Sequence, residues 1–233
     1  MTYNFLVLSL LFLIPGALIF LLRPDLRSLL GVTALLSLPF ATTEFLFYPT
    51  YWEPQTLFNL VPRIGFGIED VLFVTGLGML TSGIYPTASG RRFLWPGGPR
   101  VMLTRRTFLR LGALFGGAAA AVAVAALADI AMIYAAPVIM IAAAFFIALR
   151  RRDLAVPVLA GGTLTLAVYA VLSLIFALLI PDVFELDWHT DAFLNRFVLG
   201  IPLEELIYGF TSGLIGSVLV PYLSGGSFAA ARL

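Results

Sequence analysis

The chain has no cysteine, no lysine and a single histidine, and only 12% of its residues are charged, about half the roughly 25% of an ordinary soluble domain. Without cysteine there can be no disulfide, thiolate metal site, iron–sulfur cluster or cysteine nucleophile. Without lysine there can be no Schiff base, so a seven-helix retinal protein is excluded. All 14 basic residues are arginine, and a net charge of +1 gives no reason to expect a nucleic-acid partner. What is present is apolar: 61% hydrophobic residues and a mean hydropathy of +1.01. The sequence reads as an integral membrane protein.

Seven stretches reach the length of about 17 to 25 apolar residues that spans a bilayer. They lie near 4–22, 29–47, 66–84, 108–128, 130–149, 154–180 and 200–222. The first has no basic residue ahead of it and no small-residue cleavage site, so it reads as a retained helix and not a signal peptide. Between spans 4 and 5 only Asp129 breaks the apolar run. A tight turn is expected there, with one long kinked helix as the alternative.

Arginines alternate with the spans. Arg23 and Arg27 lie in loop 1–2, Arg91 through Arg106 in loop 3–4, Arg150 to Arg152 in loop 5–6, and Arg232 in the tail. The intervening loops hold only Arg63 and Arg196, and loop 6–7 is acidic. The positive-inside rule then puts the N-terminus outside and the C-terminus in the cytoplasm.

Two short stretches look like copies of each other, Gly67-Ile68-Glu69-Asp70 and Pro202-Leu203-Glu204-Glu205. Each places two adjacent carboxylates in the first turn of an apolar helix, where an ionised side chain costs a few kcal/mol or more unless paired, solvated or protonated. A shift of 135 positions aligns them. Trp52 then answers Trp188 and Asn59 answers Asn195 within one residue. The expected fold is therefore all-α and polytopic, with helices 1–3 and 5–7 as a parallel internal repeat. The corresponding units are 1–84, a basic linker with helix 4 over 85–129, and 130–233.

Acids in a first turn also offset the helix dipole and cap free N–H groups, so either pair alone has a structural explanation. Their duplication favours function. Phe73 and Tyr208 each follow a carboxylate by one turn, a suitable lining for a greasy, cation-handling pocket. Glu44 is either a pocket carboxylate or an interfacial residue. Asn59 and Asn195 could orient the carboxyls or cap a loop. Trp52, Tyr51, Trp188 and Phe193 are expected in an interfacial aromatic belt. His189, in an acidic loop, is expected to be solvated. Thr104–Arg110 fits a twin-arginine signal, but it follows three spans, where an arginine cluster is already expected. Gly65-Phe66-Gly67 lacks the third glycine and preceding strand of a dinucleotide site.

The phrases GIEDVLF at 67–73 and PLEELIYGF at 202–210, each preceded by a Trp and then an Asn, resemble the repeated motif of the membrane-integral, heterodimeric-type lycopene cyclases. The resemblance covers roughly 40–83 and 180–222, and implies that the two small subunits of that family are fused here. It further implies cofactor-free, metal-free cyclisation of a linear carotenoid end by a carboxylic acid, in the cytoplasmic membrane of a prokaryote. Glu204, Glu205, Glu69 and Asp70 would be the catalytic set, with the acid at Glu204 or Glu205. Glu44, Asn59, Phe73, Asn195 and Tyr208 would bind substrate. Gly67 and Asp70 depart from the Pro-x-Glu-Glu pattern, which leaves the part played by the first copy open. The expected partners are a long polyene and membrane lipid, with a second copy or another carotenoid enzyme beside them. The rival readings are a proton-coupled transporter, an isoprenoid-binding membrane protein and a non-catalytic cyclase-like subunit.

Overall fold

The structure, a computed structural model, describes residues 3–230, so Arg232 lies outside the described residues. Seven helices are long and apolar enough to cross a membrane: α1 (Asn4–Leu22), α2 (Pro24–Leu46), α3 (Ile68–Ala88), α4 (Arg105–Leu127), α5 (Met132–Arg150), α6 (Arg152–Leu179) and α7 (Leu203–Ser224). The protein is an all-α, polytopic integral membrane protein. α2 is tightened into 3₁₀ geometry over Leu38–Leu46, and α7 is interrupted between Gly216 and Leu219.

The doubtful boundary between α4 and α5 is a turn. Asp129 takes a left-handed conformation (φ 54°). The N–H of Asp129 donates to the Ala126 carbonyl and that of Ile130 to the Ala125 carbonyl, the pairing that closes a helix with a left-handed residue after its cap.

α3 and α7 form the centre of the bundle. α3 packs on α1 and α2, α7 packs on α5 and α6, and the two meet each other. Close approach depends on missing side chains, as is usual where lipid offers no hydrophobic drive. A Cβ on Gly76 would stand 2.6 Å from the Leu13 Cα, and one on Gly213 would stand 2.6 Å from the Thr165 Cβ. α4 lies at the edge, with only Thr107 and Ala125 buried.

The arginine-rich loops gather at one end. β1 (Arg91–Leu94) pairs antiparallel with a strand at Ser227–Ala230. Arg23 binds Asp25 and donates to the carbonyls of Pro86 and Arg91, while Arg151 binds Asp153 and donates to the carbonyl of Gly226. At the opposite end a short hairpin, β2 (Phe197–Val198) and β3 (Ile201–Pro202), precedes α7; the strand at Ser227–Ala230 is β4. Leu199 and Gly200 turn this hairpin with positive φ angles, as a two-residue hairpin turn requires. Pro202 is thus the residue before the helix, held extended by the hairpin. Trp52 and Trp188 form an antiparallel bridge at the same end, flanked by Glu53 N–H to the Asp187 carbonyl and His189 N–H to the Tyr51 carbonyl, each 2.9 Å.

Candidate active site

The two acidic pairs split in the same way, one member inward and one into a loop. Adjacent residues on a helix point about 100° apart, so they cannot share a destination. Asp70 and Glu205 face a cavity of about 80 Å³ at the end of the bundle opposite the arginines. Glu69 and Glu204, 0% and 2% exposed, turn the other way. Glu69 Oε1 accepts from Leu57 N–H at 2.5 Å, and Glu204 Oε1 accepts from Leu194 N–H at 3.1 Å. Both therefore hold the loop that leads into their own helix, and neither lines the cavity.

The asparagines explain how these loops present their N–H groups. Asn59 and Asn195 are exposed and left-handed, with φ of 51° and 49°, a conformation asparagine tolerates better than most residues. The expectation that their side chains orient the carboxyls is corrected: they turn the backbone so that the preceding residues reach Glu69 and Glu204.

Glu205 is held by three side chains from three places. The Trp188 indole N–H donates to Oε1 at 3.0 Å, the Tyr51 hydroxyl to Oε1 at 3.1 Å and the Tyr169 hydroxyl to Oε2 at 2.6 Å. Indole N–H can only donate, so Oε1 is an acceptor whatever the state of the phenols. Burial, followed by the nearby charges of Glu205 and Glu204, drives the Tyr51 phenol far above its ordinary range, which keeps it an O–H donor.

Asp70 is held differently. Its Oδ2 accepts from the Gly67 N–H at 2.6 Å, the reach-back bond of a helix N-terminus. A proline at 67 would have no hydrogen to offer. The two substitutions that separate the first motif from the second, Gly for Pro and Asp for Glu, therefore belong together. A glycine donates to a short carboxylate; with proline in its place the longer carboxylate is released to side-chain donors.

Glu44, near the end of α2, stands beside Asp70 and the Trp52 indole. It is buried, and its Oε1 has no partner. It lines the same cavity as Asp70 and Glu205. The cavity thus joins Glu44, Asp70 and Glu205 with Phe73 and Tyr208, and with Tyr51, Trp52, Tyr169 and Trp188.

The last four residues depart from the sequence reading. Tyr51, Trp52 and Trp188 were expected in an interfacial belt, yet they are 4%, 9% and 5% exposed. The bridge between their loops folds them back over the bundle, and the Trp52 and Trp188 rings lie 5.1 Å apart. The equivalent spacing of the two tryptophans was the available signal. Tyr169, in the middle of α6, had none. Phe193 packs against Tyr51, 5.3 Å between ring centres. The His189 ring lies 3.9 Å from Glu53, with both side chains about half exposed.

A cavity lined by the carboxyl groups of Glu44, Asp70 and Glu205 and walled by aromatic rings can bring a proton to an apolar molecule, face a developing cation with π density and negative charge, and take a proton back. Residues 131–223, which span α5 to α7, match the family model for lycopene cyclase. No curated protein and no solved structure matches the chain significantly.

Proposed function

We propose that this lycopene cyclase-type protein closes the linear end of a carotenoid into a ring by proton addition and proton loss, with no redox change, in the cavity between α3 and α7. The observation that carries the reading is the convergence of Glu44, Asp70 and Glu205 on one aromatic-walled cavity. Glu44 and Asp70, side by side and drawn from different helices, hold one proton between them, because two like charges so close cannot both be ionised. That proton adds to the terminal double bond. The resulting carbocation is attacked by the π electrons of a second double bond, which forms the ring carbon–carbon bond and moves the positive charge into the ring.

Glu205 faces that charge as a fixed carboxylate and takes the proton whose loss restores a double bond. One proton enters and one leaves, so the product is an isomer of the substrate. Phe73 and Tyr208, one turn beyond Asp70 and Glu205, face the same cavity, where a ring face over a desolvated cation contributes about 2 kcal/mol.

The two halves are proposed to be a parallel duplication. Supporting it are the shared roles of Glu69 and Glu204, of Asp70 and Glu205, of the Arg23–Asp25 and Arg151–Asp153 pairs, and the mutual pairing of Trp52 with Trp188 and of β1 with β4. The arginine-rich end would face the cytoplasm of a prokaryotic cell by the positive-inside rule, which places the acid cavity toward the outer leaflet.

The test is expression in a bacterium that accumulates lycopene, with pigments separated by chromatography. A cyclic product is expected from the wild type and its loss from Glu205→Gln and Asp70→Asn. A chain that inserts in the membrane yet leaves lycopene unchanged would rule out lycopene as the substrate.

A further inference from the structure

A second cavity, about 220 Å³, adjoins the first. Phe40, Thr43, Val74 and Tyr208 line both, so the two adjoin across these four side chains. From those shared residues the larger compartment runs toward the arginine-rich end. Leu77, Gly78 and Thr81 of α3 face it, with Met140 and Ala143 of α5, while Leu114, Phe115 and Ala118 of α4 close it from outside. Its polar lining is largely spent on the helices themselves. Thr33, Ser37, Thr43 and Thr81 each donate to a carbonyl three or four residues earlier in the chain. Among the described residues, no charged group faces it.

The opposite flank of the acid cavity is filled. Phe12, fully buried, packs edge-on against Tyr169 at 4.6 Å and tilted against Phe73 at 5.1 Å between ring centres. The acid cavity holds the three carboxyl groups. The adjoining one is long, apolar and uncharged. Together they reach the low end of the volumes of ligand sites, about 300–1,000 Å³.

We propose that the larger cavity is the binding channel for the unreacted polyene chain, which lies between α4 and α5 on one side and α2 and α3 on the other while its end group sits among the carboxyls. The inference rests on the cyclase reading for the identity of its occupant. Its physical basis is separate: a mostly apolar cavity without charged lining residues, whose threonine hydroxyls are bonded to their own helices and which adjoins the acid cavity, favours a long hydrocarbon over a molecule that needs many hydrogen bonds. Ala118 and Ala143 then set the bore of the channel, because they are the smallest side chains of its α4 and α5 walls.

The absence of native cysteine allows a test that needs no turnover. Single cysteines at Ala118, at Ala143 and, as control, at Val138, which is 65% exposed on α5, are placed in the full-length protein in detergent. Each is labelled with N-ethylmaleimide with and without lycopene. Lycopene should slow labelling at 118 and 143 at least tenfold and leave 138 unchanged. Equal labelling rates at 118 and 143 with and without lycopene would overturn the channel. In parallel, Ala118→Trp and Ala143→Trp should lower lycopene conversion at least tenfold at wild-type membrane abundance, whereas Val138→Trp should not. Protection without any wild-type conversion would retain the channel and remove the cyclase reading. Conversion without protection would do the reverse.

Discussion

Glu204 and Glu205 are neighbours with the same charge in the same motif, and replacing each by glutamine should give opposite results. Glu205 accepts three hydrogen bonds and faces the cavity. Glutamine keeps the shape and can still accept from Trp188 and Tyr51, while its NH₂ group turns toward Tyr169, whose hydroxyl can accept in return. Each bond to Oε1 weakens from the charge-assisted range of about 1.5–3 kcal/mol to about 0.5–1.5 kcal/mol. Relief from burying a charge offsets part of that loss, so the net change in stability should stay within about 2 kcal/mol.

Catalysis should suffer far more. A carboxylate about 4 Å from a carbocation contributes about 4 kcal/mol at an effective dielectric of roughly 20, which corresponds to a rate loss of about a thousandfold. Glu204→Gln weakens one bond, to the Leu194 N–H. It should cost about 1 kcal/mol of stability and leave the rate within about threefold, since the group is off the cavity. Initial rates of lycopene conversion in isolated membranes, normalised to protein, measure both. If Glu205→Gln keeps a third of wild-type activity, or if Glu204→Gln loses the activity instead, the assignment of inward and loop-holding carboxyls is wrong.

Glu44→Gln and Asp70→Asn should each lower the rate by a factor of about 10² to 10⁴, and the double variant should be no slower than the worse single one, because the two act as one proton-holding unit; the four rates of that cycle decide it. Gly76→Ala should lower the thermal midpoint of the detergent-solubilised protein, since its Cβ meets the backbone of α1. Gly116→Ala, with nothing within 4 Å, should leave the midpoint unchanged or raise it. Asp187, outside the spans, is raised above its ordinary value by burial, against an opposing hydrogen bond from Asn4. The folded state therefore keeps this proton to a higher pH than the unfolded chain. Stability from this group is full below the ordinary carboxylate range and declines as pH rises through the folded value. Asp187→Asn should unfold at a higher temperature than wild type near neutral pH, with the gap closing in acid.

The seven spans were legible because hydropathy over a bilayer length is a strong signal, and the turn at Asp129 was legible because the arginines demanded it. The repeated acids were legible as a pair of pairs. Which acid of each pair turns inward was not. That choice depends on where the helix begins, and a hairpin at 197–202 moved the start of α7 past Pro202. The partners of Glu205 were also beyond reach, since Tyr51, Tyr169 and Trp188 lie 154, 36 and 17 residues away. The tryptophans were misjudged for a related reason: an aromatic near a span end is ordinarily at the interface, and only the pairing of two distant loops draws these two under cover.

Every inward carboxyl lies at the same end of the bundle. On the proposed reading, the reacting terminus of a polyene must rise to the edge of the membrane while its other terminus stays among the lipid tails. A molecule with two identical termini can offer only one of them per visit. To present the second it must leave, turn end over end in the bilayer and return. The singly cyclised compound is then the obligatory first release, and the ratio of one-ring to two-ring pigment becomes a race between return to this protein and capture by whatever enzyme next meets the molecule in the lipid.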